Sequence, residues 1–274
     1  MPDIQLPGIR LYYQEQGSGV PILLINGTTG FADIWGEAID ELAKLGRVIA
    51  YDRRGCTRSE RPEPYETTEV ADHSADAVAL LEALNATPAL LIGRSYGGGV
   101  ALHLAMTRPE LVRAIVLLEP GVLGLSDTGT RAIEELTSRV LAEVAARGPG
   151  YAAEALLRDV LGDEVWESLP DEVQDPFRDN SQACIAELRG KDLQVQPGDL
   201  AKVRQPVLVV GGEASPQGFR EINEAVLREP AEREGAGRGR RAPVVTVAPR
   251  GAGVSARGYK RDVAADLQVC QNAP

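Results

Sequence analysis

The stretch Gly93-Arg94-Ser95-Tyr96-Gly97 says most about how this chain folds. It follows an apolar run at 88–92 that is typical of a buried strand, and it precedes a helix-like run at 96–106. A G-x-S-x-G sequence between a strand and a helix predicts a sharp turn that carries the serine hydroxyl out of the backbone. The glycines at both ends would let strand and helix approach closely. Ser95 is therefore the leading candidate for a nucleophile, and an ordinary glycine-rich turn is the alternative.

Strand-like and helix-like segments alternate on both sides of this turn. A buried strand followed by an amphipathic helix, repeated along the chain, predicts a mostly parallel sheet flanked by helices. The sequence thus indicates the α/β class. The predicted strands are 9–16, 21–26, 47–52, 114–118, 206–210 and 244–247, and the predicted helices outside the central turn are 31–45 and 69–84.

The alternation stops between residues 121 and about 200, where the pattern is mostly helical. Candidate helices are 130–146, 151–161 and 182–188. Ligands of α/β sheets bind at the carboxyl ends of the strands, so a helical insertion after the strand at 114–118, the sixth strand of such a sheet, would lie over the pocket. We therefore predict a core of residues 1–120 and 201–274 and a lid of residues 121–200. A purely structural insertion is the alternative.

Composition excludes several other classes of protein. The 274 residues carry a net charge of -11, which disfavours nucleic acid and anionic membranes as partners. No apolar run approaches the roughly 20 residues of a membrane span, and the first twenty residues lack a signal-peptide pattern. The three cysteines, Cys56, Cys184 and Cys270, are too dispersed for a disulfide framework or a zinc site. We expect a cytoplasmic protein with no metal and no cofactor.

Several separated motifs resemble the α/β-hydrolase superfamily, in its serine esterase and lipase branch, over residues 9–226. Residues 26–30, Asn-Gly-Thr-Thr-Gly, stand where the family has His-Gly-x-x-Gly. Residues 51–59 resemble its Asp-x-Arg-Gly-x-Gly-x-Ser loop, with Thr57 in place of the second glycine. Residues 93–98 are the turn already described, and residues 208–212 resemble the strand that leads to the family's acid loop.

The resemblance implies a mechanism. Ser95 would attack the carbonyl of a small ester, lactone or related acyl substrate. The backbone N–H groups of Tyr96 and Thr28 would stabilise the developing oxyanion. Asn26 replaces the usual histidine, which affects the support of this loop but leaves main-chain donors in place.

The base of such a mechanism is missing from the sequence. The chain contains two histidines, His73 and His103. His103 lies more than two helical turns beyond Ser95, too far to reach its hydroxyl. His73 stands near the start of a helix beside acidic residues, which favours a solvated or capping role. The family's histidine follows the eighth strand, where this chain has Val254, which cannot accept a proton.

The acid has two candidates. Glu213 is the nearest carboxylate after the seventh strand, where the family usually has its aspartate. Glu119 ends the sixth strand, where some members of the superfamily place the acid. Carboxylates that orient a base are recognised by contact, so the sequence leaves both open.

Three functional interpretations follow. The first is a serine hydrolase, impaired because its base is missing. The second is a catalytically inactive protein of the same fold that binds a small apolar ligand under its lid. The third is a relative doing other chemistry, such as lyase or cofactor-free haloperoxidase work. Ser95 disfavours epoxide hydrolases and dehalogenases, whose nucleophile at the turn is an aspartate.

The last forty-five residues differ in character from the rest. Residues 230–261 carry seven arginines and one lysine against two glutamates, a net of +6, while the remainder of the chain totals -17. Such a switch indicates a basic appendage, a disordered segment or an artefact. The sharpest hypothesis is translation out of frame from about Pro230, which would remove the histidine of a working hydrolase.

The coding DNA tests this hypothesis. Residues 230–243 can be back-translated so that the neighbouring frame reads Leu-Pro-Asn-Ala-Arg-Val-Arg-Val-Val-Asp-Gly-Ala-His, which resembles the family's last strand and histidine turn. We expect sequencing to find codons of this kind, with the histidine codon overlapping those of Ala242 and Pro243. Codons incompatible with the second frame would remove the hypothesis.

Overall fold

The computed structural model describes residues 3–196, 198–228 and 241–247, the last of these as backbone only. The strands are β1 (Asp3–Leu6), β2 (Ile9–Gln16), β3 (Pro21–Ile25), β4 (Arg47–Tyr51), β5 (Ala89–Arg94), β6 (Val112–Leu118), β7 (Val207–Gly212) and β8 (Arg241–Val247). The helices are α1 (Glu37–Ala43), α2 (Val70–Ala83), α3 (Tyr96–Thr107), α4 (Asp127–Arg147), α5 (Ala152–Leu161), α6 (Asp163–Glu167), α7 (Asp171–Arg178), α8 (Ser181–Arg189) and α9 (Gln217–Leu227).

The described strands form an eight-stranded sheet in the order β1-β2-β4-β3-β5-β6-β7-β8. Strand β1 is antiparallel to β2, and β2 is antiparallel to β4. The other neighbouring strands, from the β4–β3 pair to the β7–β8 pair, are parallel. This arrangement confirms the predicted α/β fold with a mostly parallel sheet. The connection between neighbouring parallel strands is usually a helix, which explains the alternation seen in the sequence.

Both faces of the sheet are buried under helices. Leu91 and Leu117 face the cluster that contains α2, α3 and α9, whereas their neighbours Ile92 and Leu118 face the cluster that contains Trp35 and α1. Successive side chains of a strand point to opposite faces, so a strand covered on both sides has no polar face. This burial explains the unbroken apolar run before the central turn.

Some segments differ from the sequence prediction. The predicted helix 31–45 is divided into a 3-10 turn, Ala32–Trp35, and α1, because the backbone at Gly36 adopts a φ of 45°. Such a left-handed conformation interrupts helical hydrogen bonding and favours glycine. The short edge strand β1 and helix α9 had no counterpart in the prediction, although α9 is strongly amphipathic in sequence.

The helical insertion after β6 is confirmed. Helices α4, α5 and α8 share a small apolar core of their own, which includes Val140, Leu156 and Ile185. The two ends of the insertion meet, since Leu123 N–H donates to Leu193 O at 3.0 Å and Val195 N–H donates to Leu123 O at 2.9 Å. The insertion therefore leaves and re-enters the core at one place. That residues 121–200 act as a lid stays a prediction.

Among the described residues, no helix combines the length and the apolar character that crossing a bilayer requires. The parts of the basic tail at 229–240 and 248–274, including Val254 and Cys270, lie outside the described residues. The predictions made for them stand as predictions.

The close packing at the central turn gives a test of the fold. A methyl group added at Gly93 would lie 2.4 Å from Gly97 O, closer than atoms of a well-packed turn can approach. We expect Gly93→Ala to lower the free energy of unfolding by about 1–3 kcal/mol, the usual effect of overpacking. Thermal and urea unfolding would measure the change.

Gly198 is the matched control. It has a φ of -68°, and apart from its chain neighbours no described residue has an atom within 4 Å of an added methyl group. Gly198→Ala is expected to leave stability unchanged or to raise it slightly, because alanine restricts the unfolded chain. Equal destabilisation by both substitutions would contradict the tight turn.

Candidate active site

Ser95 lies in the bend between β5 and α3, with a φ of 49° and a ψ of -120°. This is an uncommon conformation for a residue other than glycine, and it persists only where the surroundings hold it. The holding contacts are main-chain hydrogen bonds. Ser95 N–H donates to Leu118 O at 3.0 Å, and Ser95 O accepts from the N–H groups of Gly98 at 2.8 Å and Gly121 at 2.9 Å. The serine side chain is partly buried.

Two glycines flank the serine hydroxyl. A methyl group at Gly27 would lie 3.1 Å from Ser95 Cβ and 3.8 Å from Ser95 Oγ, and one at Gly121 would lie 3.7 Å from the same oxygen. The loop after β3 and the chain after β6 therefore both approach the hydroxyl closely. Thr28, which follows Gly27, is partly buried, and Tyr96 opens α3 directly after the serine. The two residues predicted to donate to an oxyanion thus adjoin Ser95 from two sides.

The loop at 26–30 is held by hydrogen bonds and is largely buried. Asn26 is buried, and its amide donates to Tyr51 O at 3.4 Å, so this residue supports the loop from β4. Thr29 is fully buried with a φ of 67°, a left-handed conformation that needs support from neighbouring groups. Gly30 N–H donates to Gly27 O at 3.1 Å and closes the loop into a turn.

Glu119 and Glu213 have different surroundings. Glu119 is partly buried and its Oε1 accepts from Gly212 N–H at 3.0 Å and from the hydroxyl of Ser215. Glu213 is exposed and has no hydrogen bond to another described residue. Both carboxylates come after the carboxyl ends of adjacent parallel strands, β6 and β7. Only Glu119 is turned inward and fixed there.

Ser215 was missed by the sequence interpretation. It is buried and joins Glu119 to the loop after β7, accepting from Gly212 N–H at 3.0 Å while its hydroxyl donates to the carboxylate. The Ala-Ser-Pro sequence after Glu213 gave no signal for this contact, since a serine in a loop is usually solvated.

The predicted solvated or capping role of His73 is wrong. His73 is fully buried, and its ring makes an edge-to-face contact with Tyr96, with 5.4 Å between the centroids. Capping of α2 is done by Asp72, whose carboxylate accepts from Glu69 N–H at 2.9 Å. The neighbouring acidic residues gave a misleading signal, because Asp72 and Asp76 lie toward Arg54 while His73 turns inward.

The buried environment of His73 centres on an ion pair. Arg53 and Glu187 are both almost fully buried, and Arg53 Nη1 lies 2.6 Å from Glu187 Oε1. The same Nη1 is 3.3 Å from His73 Nδ1, and the guanidinium carbon lies 5.1 Å from the centroid of the Tyr96 ring. Desolvation, followed by the charges of Arg53 and Arg54, holds the pKa of His73 well below its usual value. His73 is therefore neutral at pH 7.

The Arg53–Glu187 pair was not predicted, because its members are 134 residues apart. The double arginine at 53 and 54 was visible as part of a family-like motif, but nothing in sequence distinguished the buried arginine from the surface one. Glu187 belongs to the helical insertion, so its partner is set by tertiary structure. A nearby carboxylate, Asp192, has a pKa raised to about 6 by desolvation and by the charge of Glu187.

The described residues bring no histidine to Ser95 Oγ, which has no side-chain hydrogen bond among them. His103 lies on α3, eight residues after the serine, a rise of about 12 Å along the helix. Val254, which the sequence analysis predicts to stand in the family's histidine position, lies outside the described residues. Within the described ranges there is also no group of three His, Cys, Asp or Glu side chains placed to hold a metal ion.

A family model described as the alpha/beta hydrolase fold matches residues 20–157, which is half of the 274-residue chain. The strained serine between β5 and α3 and the order of the sheet strands agree with that match. The chain belongs to the α/β-hydrolase fold family.

Relatives in this family are hydrolases. The chain is 42% identical over 130 residues to 2-hydroxymuconate semialdehyde hydrolase of Pseudomonas sp. (strain CF600), covering 45% of the chain and 44% of the relative. It is 38% identical over 122 residues to an uncharacterized hydrolase of Bacillus subtilis, covering 44% of the chain and 45% of that protein. The matches thus span a little under half the length of these curated relatives.

Solved structures extend the similarity of fold to nearly the whole chain. A thermophilic esterase from Thermogutta terrifontis superposes with a TM-score of 0.69 at 19% identity, covering 99% of this chain and 96% of that one. At this level of identity the likeness concerns the fold.

The buried histidine gives a test by pH. Because the pKa of His73 is depressed in the folded state, the unfolded chain takes up the proton first as pH falls below about 6.5. Folding stability is therefore lost with decreasing pH from about 6.5 toward the folded pKa. Between pH 7.5 and 5 we expect wild type to lose up to about 2 kcal/mol more than His73→Gln. Urea unfolding at both pH values measures this difference.

His103→Gln serves as the comparison. His103 is only partly buried, and its pKa is lowered by desolvation alone. We expect His103→Gln to change the pH dependence of folding stability less than His73→Gln does. A His73→Gln variant that loses as much stability on acidification as wild type would contradict the neutral, buried histidine.

Proposed function

We propose that this protein is a serine hydrolase for small ester, lactone or related acyl substrates, with turnover limited by the absence of a histidine after the last strand. The backbone conformation of Ser95 is the observation that carries the proposal. A φ of 49° at a serine between strand and helix is a strained arrangement that presents a hydroxyl at the edge of the sheet.

The reaction would proceed by acyl transfer. Ser95 Oγ attacks the carbonyl carbon, its proton passes to a base, and the carbonyl oxygen becomes an oxyanion. The N–H groups of Tyr96 and Thr28 then donate to that oxygen. Collapse expels the alcohol, which takes up the proton, and water hydrolyses the acyl-enzyme to release the acid and restore Ser95.

The acid role is assigned to Glu119 in this proposal. Glu119 is held by Gly212 N–H and by Ser215, whereas Glu213 is exposed. A carboxylate that orients a base has to be fixed, and of the two glutamates Glu119 is the one with fixing contacts in the described part of the chain. Among the described residues no histidine hydrogen-bonds to this carboxylate, so in the proposed reaction solvent or a buffer base accepts the proton.

The second candidate function is binding without catalysis. The positions of the two histidines favour it. His73 is buried beside the Arg53–Glu187 ion pair, and His103 lies far along α3, so neither is placed to act as the base. A protein with this site and no base would hold a small apolar ligand beneath the insertion. The oxyanion donors alone can still give weak catalysis. The two candidate functions are therefore distinguished by the rate of Ser95-dependent hydrolysis.

Chemical rescue tests the proposal. Imidazole added to the protein should act as the missing base and raise Ser95-dependent hydrolysis of p-nitrophenyl acetate by about tenfold or more, since a positioned base contributes about 10²- to 10⁴-fold. Imidazole also hydrolyses this ester in solution, and Ser95→Ala measures that background. We further expect a fluorophosphonate to label wild type and not Ser95→Ala.

The two glutamates provide a matched pair of variants. Glu119→Gln should reduce the imidazole-rescued rate, because a neutral amide orients the imidazolium poorly, while Glu213→Gln should leave it unchanged. The reverse result would assign the acid to Glu213. Absence of labelling and of rescue in wild type would favour the binding protein.

A further inference from the structure

The loop that carries Thr28 is held from outside the core, by the helical insertion. Asn180 immediately precedes α8, and Glu187 lies seven residues further on, close to two helical turns, so both lie on the same side of the helix. Asn180 is fully buried and Glu187 is 2% exposed. Both reach the 26–30 loop, one directly and the other through Arg53.

Arg53 connects Glu187 to the peptide that contains the Thr28 nitrogen. Its Nη1 pairs with Glu187 Oε1 at 2.6 Å, and its Nη2 donates to Gly27 O at 2.8 Å. In a trans peptide the C=O of one residue and the N–H of the next point in opposite directions. By holding the Gly27 carbonyl on one side, Arg53 directs Thr28 N–H to the other side. A cationic donor on the carbonyl also strengthens the N–H as a donor.

Asn180 fixes the other side of Thr28. Its Nδ2 donates to Thr29 O at 2.8 Å, which supports the left-handed backbone of Thr29. Its Oδ1 accepts from Thr57 N–H at 2.6 Å and from the Thr57 hydroxyl at 3.0 Å. Thr57, which stands in place of a family glycine, has a φ of 42°, so its left-handed backbone turns the N–H toward the asparagine.

We propose that Asn180 and Glu187, acting with Arg53, are positioning residues for the oxyanion hole, so that α8 of the insertion sets the orientation of Thr28 N–H. The inference rests on the proposed function of Ser95 and adds to it a dependence on the insertion. Neither side chain has to touch the substrate. We call the three residues the α8 anchor.

The obvious variants of a buried ion pair carry a risk of unfolding, because removing one partner leaves an unpaired buried charge. The double variant Arg53→Met with Glu187→Leu removes both charges and fills the space with apolar groups, which buried ion pairs often tolerate. Asn180→Ala tests the second branch independently. Gln182→Ala is the matched control, since Gln182 lies on the same helix but donates to Tyr65 O, away from the 26–30 loop.

The rate of Ser95 labelling by a fluorophosphonate measures the oxyanion hole. In that reaction the Ser95 Oγ–P bond forms, fluoride leaves, the proton passes to imidazole or buffer, and the phosphoryl oxygen gains negative charge. Loss of one oxyanion donor costs about 10²- to 10³-fold in known cases. We expect a misdirected donor to slow labelling by about 10- to 100-fold in the double variant and in Asn180→Ala, with Gln182→Ala within about twofold of wild type.

A reagent with P=S in place of P=O distinguishes a misdirected oxyanion donor from a general loosening of the structure. Sulfur is a weak hydrogen-bond acceptor, so a working oxyanion hole favours the P=O reagent. Variants of the α8 anchor should lose much of the wild-type ratio of the two labelling rates. A variant that is only loosened elsewhere should slow both reagents alike, and that outcome would overturn the proposal.

The Thr28 amide gives a readout that does not need catalysis. Its nitrogen shares a peptide unit with the Gly27 carbonyl, so its 15N resonance should shift in folded samples of the double variant and of Asn180→Ala, but not of Gln182→Ala. If the fluorophosphonate does not label Ser95 of wild type while the Thr28 resonance shifts in these variants, the proposed hydrolase function is wrong. The positioning of Thr28 N–H by the α8 anchor is then still supported. Folded anchor variants with an unshifted Thr28 resonance and wild-type labelling would refute the anchor.

Discussion

The left-handed backbone at Ser95 is the constraint on which the rest of the site depends. The strain of this conformation is offset by hydrogen bonds that join Ser95 to the end of β6, to α3 and to the chain that enters the insertion. A turn this tight also requires that no side chain stand where β5 meets α3, which explains the glycines on either side. The parallel sheet fixes both partners of the turn, so the serine hydroxyl has a defined place at its carboxyl edge.

The segments around this hydroxyl are held in place by different parts of the protein. The acid candidate Glu119 is tied to the loop after β7 through Ser215, within the core. The Thr28 loop depends instead on the buried Arg53–Glu187 pair and on Asn180, which link it to the insertion. A buried ion pair contributes little net stability compared with apolar packing, which agrees with the positioning role that we propose for this pair.

The sequence allowed much of this to be predicted. The apolar runs, the turn glycines and the alternation of strand and helix predicted the α/β sheet, and the structure and the family match confirm it. The helical pattern after β6 likewise predicted the insertion. Local patterns succeed here because strand burial on both faces and close turns leave direct compositional signals. The division of the predicted helix 31–45 at Gly36 shows how one residue's backbone can override such a pattern.

What the sequence by itself determined was the fold, the position of Ser95 and the lack of a histidine near the expected end of the last strand. Only the tertiary structure decided that His73 is buried and neutral, that Ser215 holds Glu119, and that Glu187 meets Arg53. The reason is physical: periodicity and turn chemistry act between neighbours in the chain. Burial of a charge and the choice of its partner depend on which distant segments the folded sheet and insertion bring together.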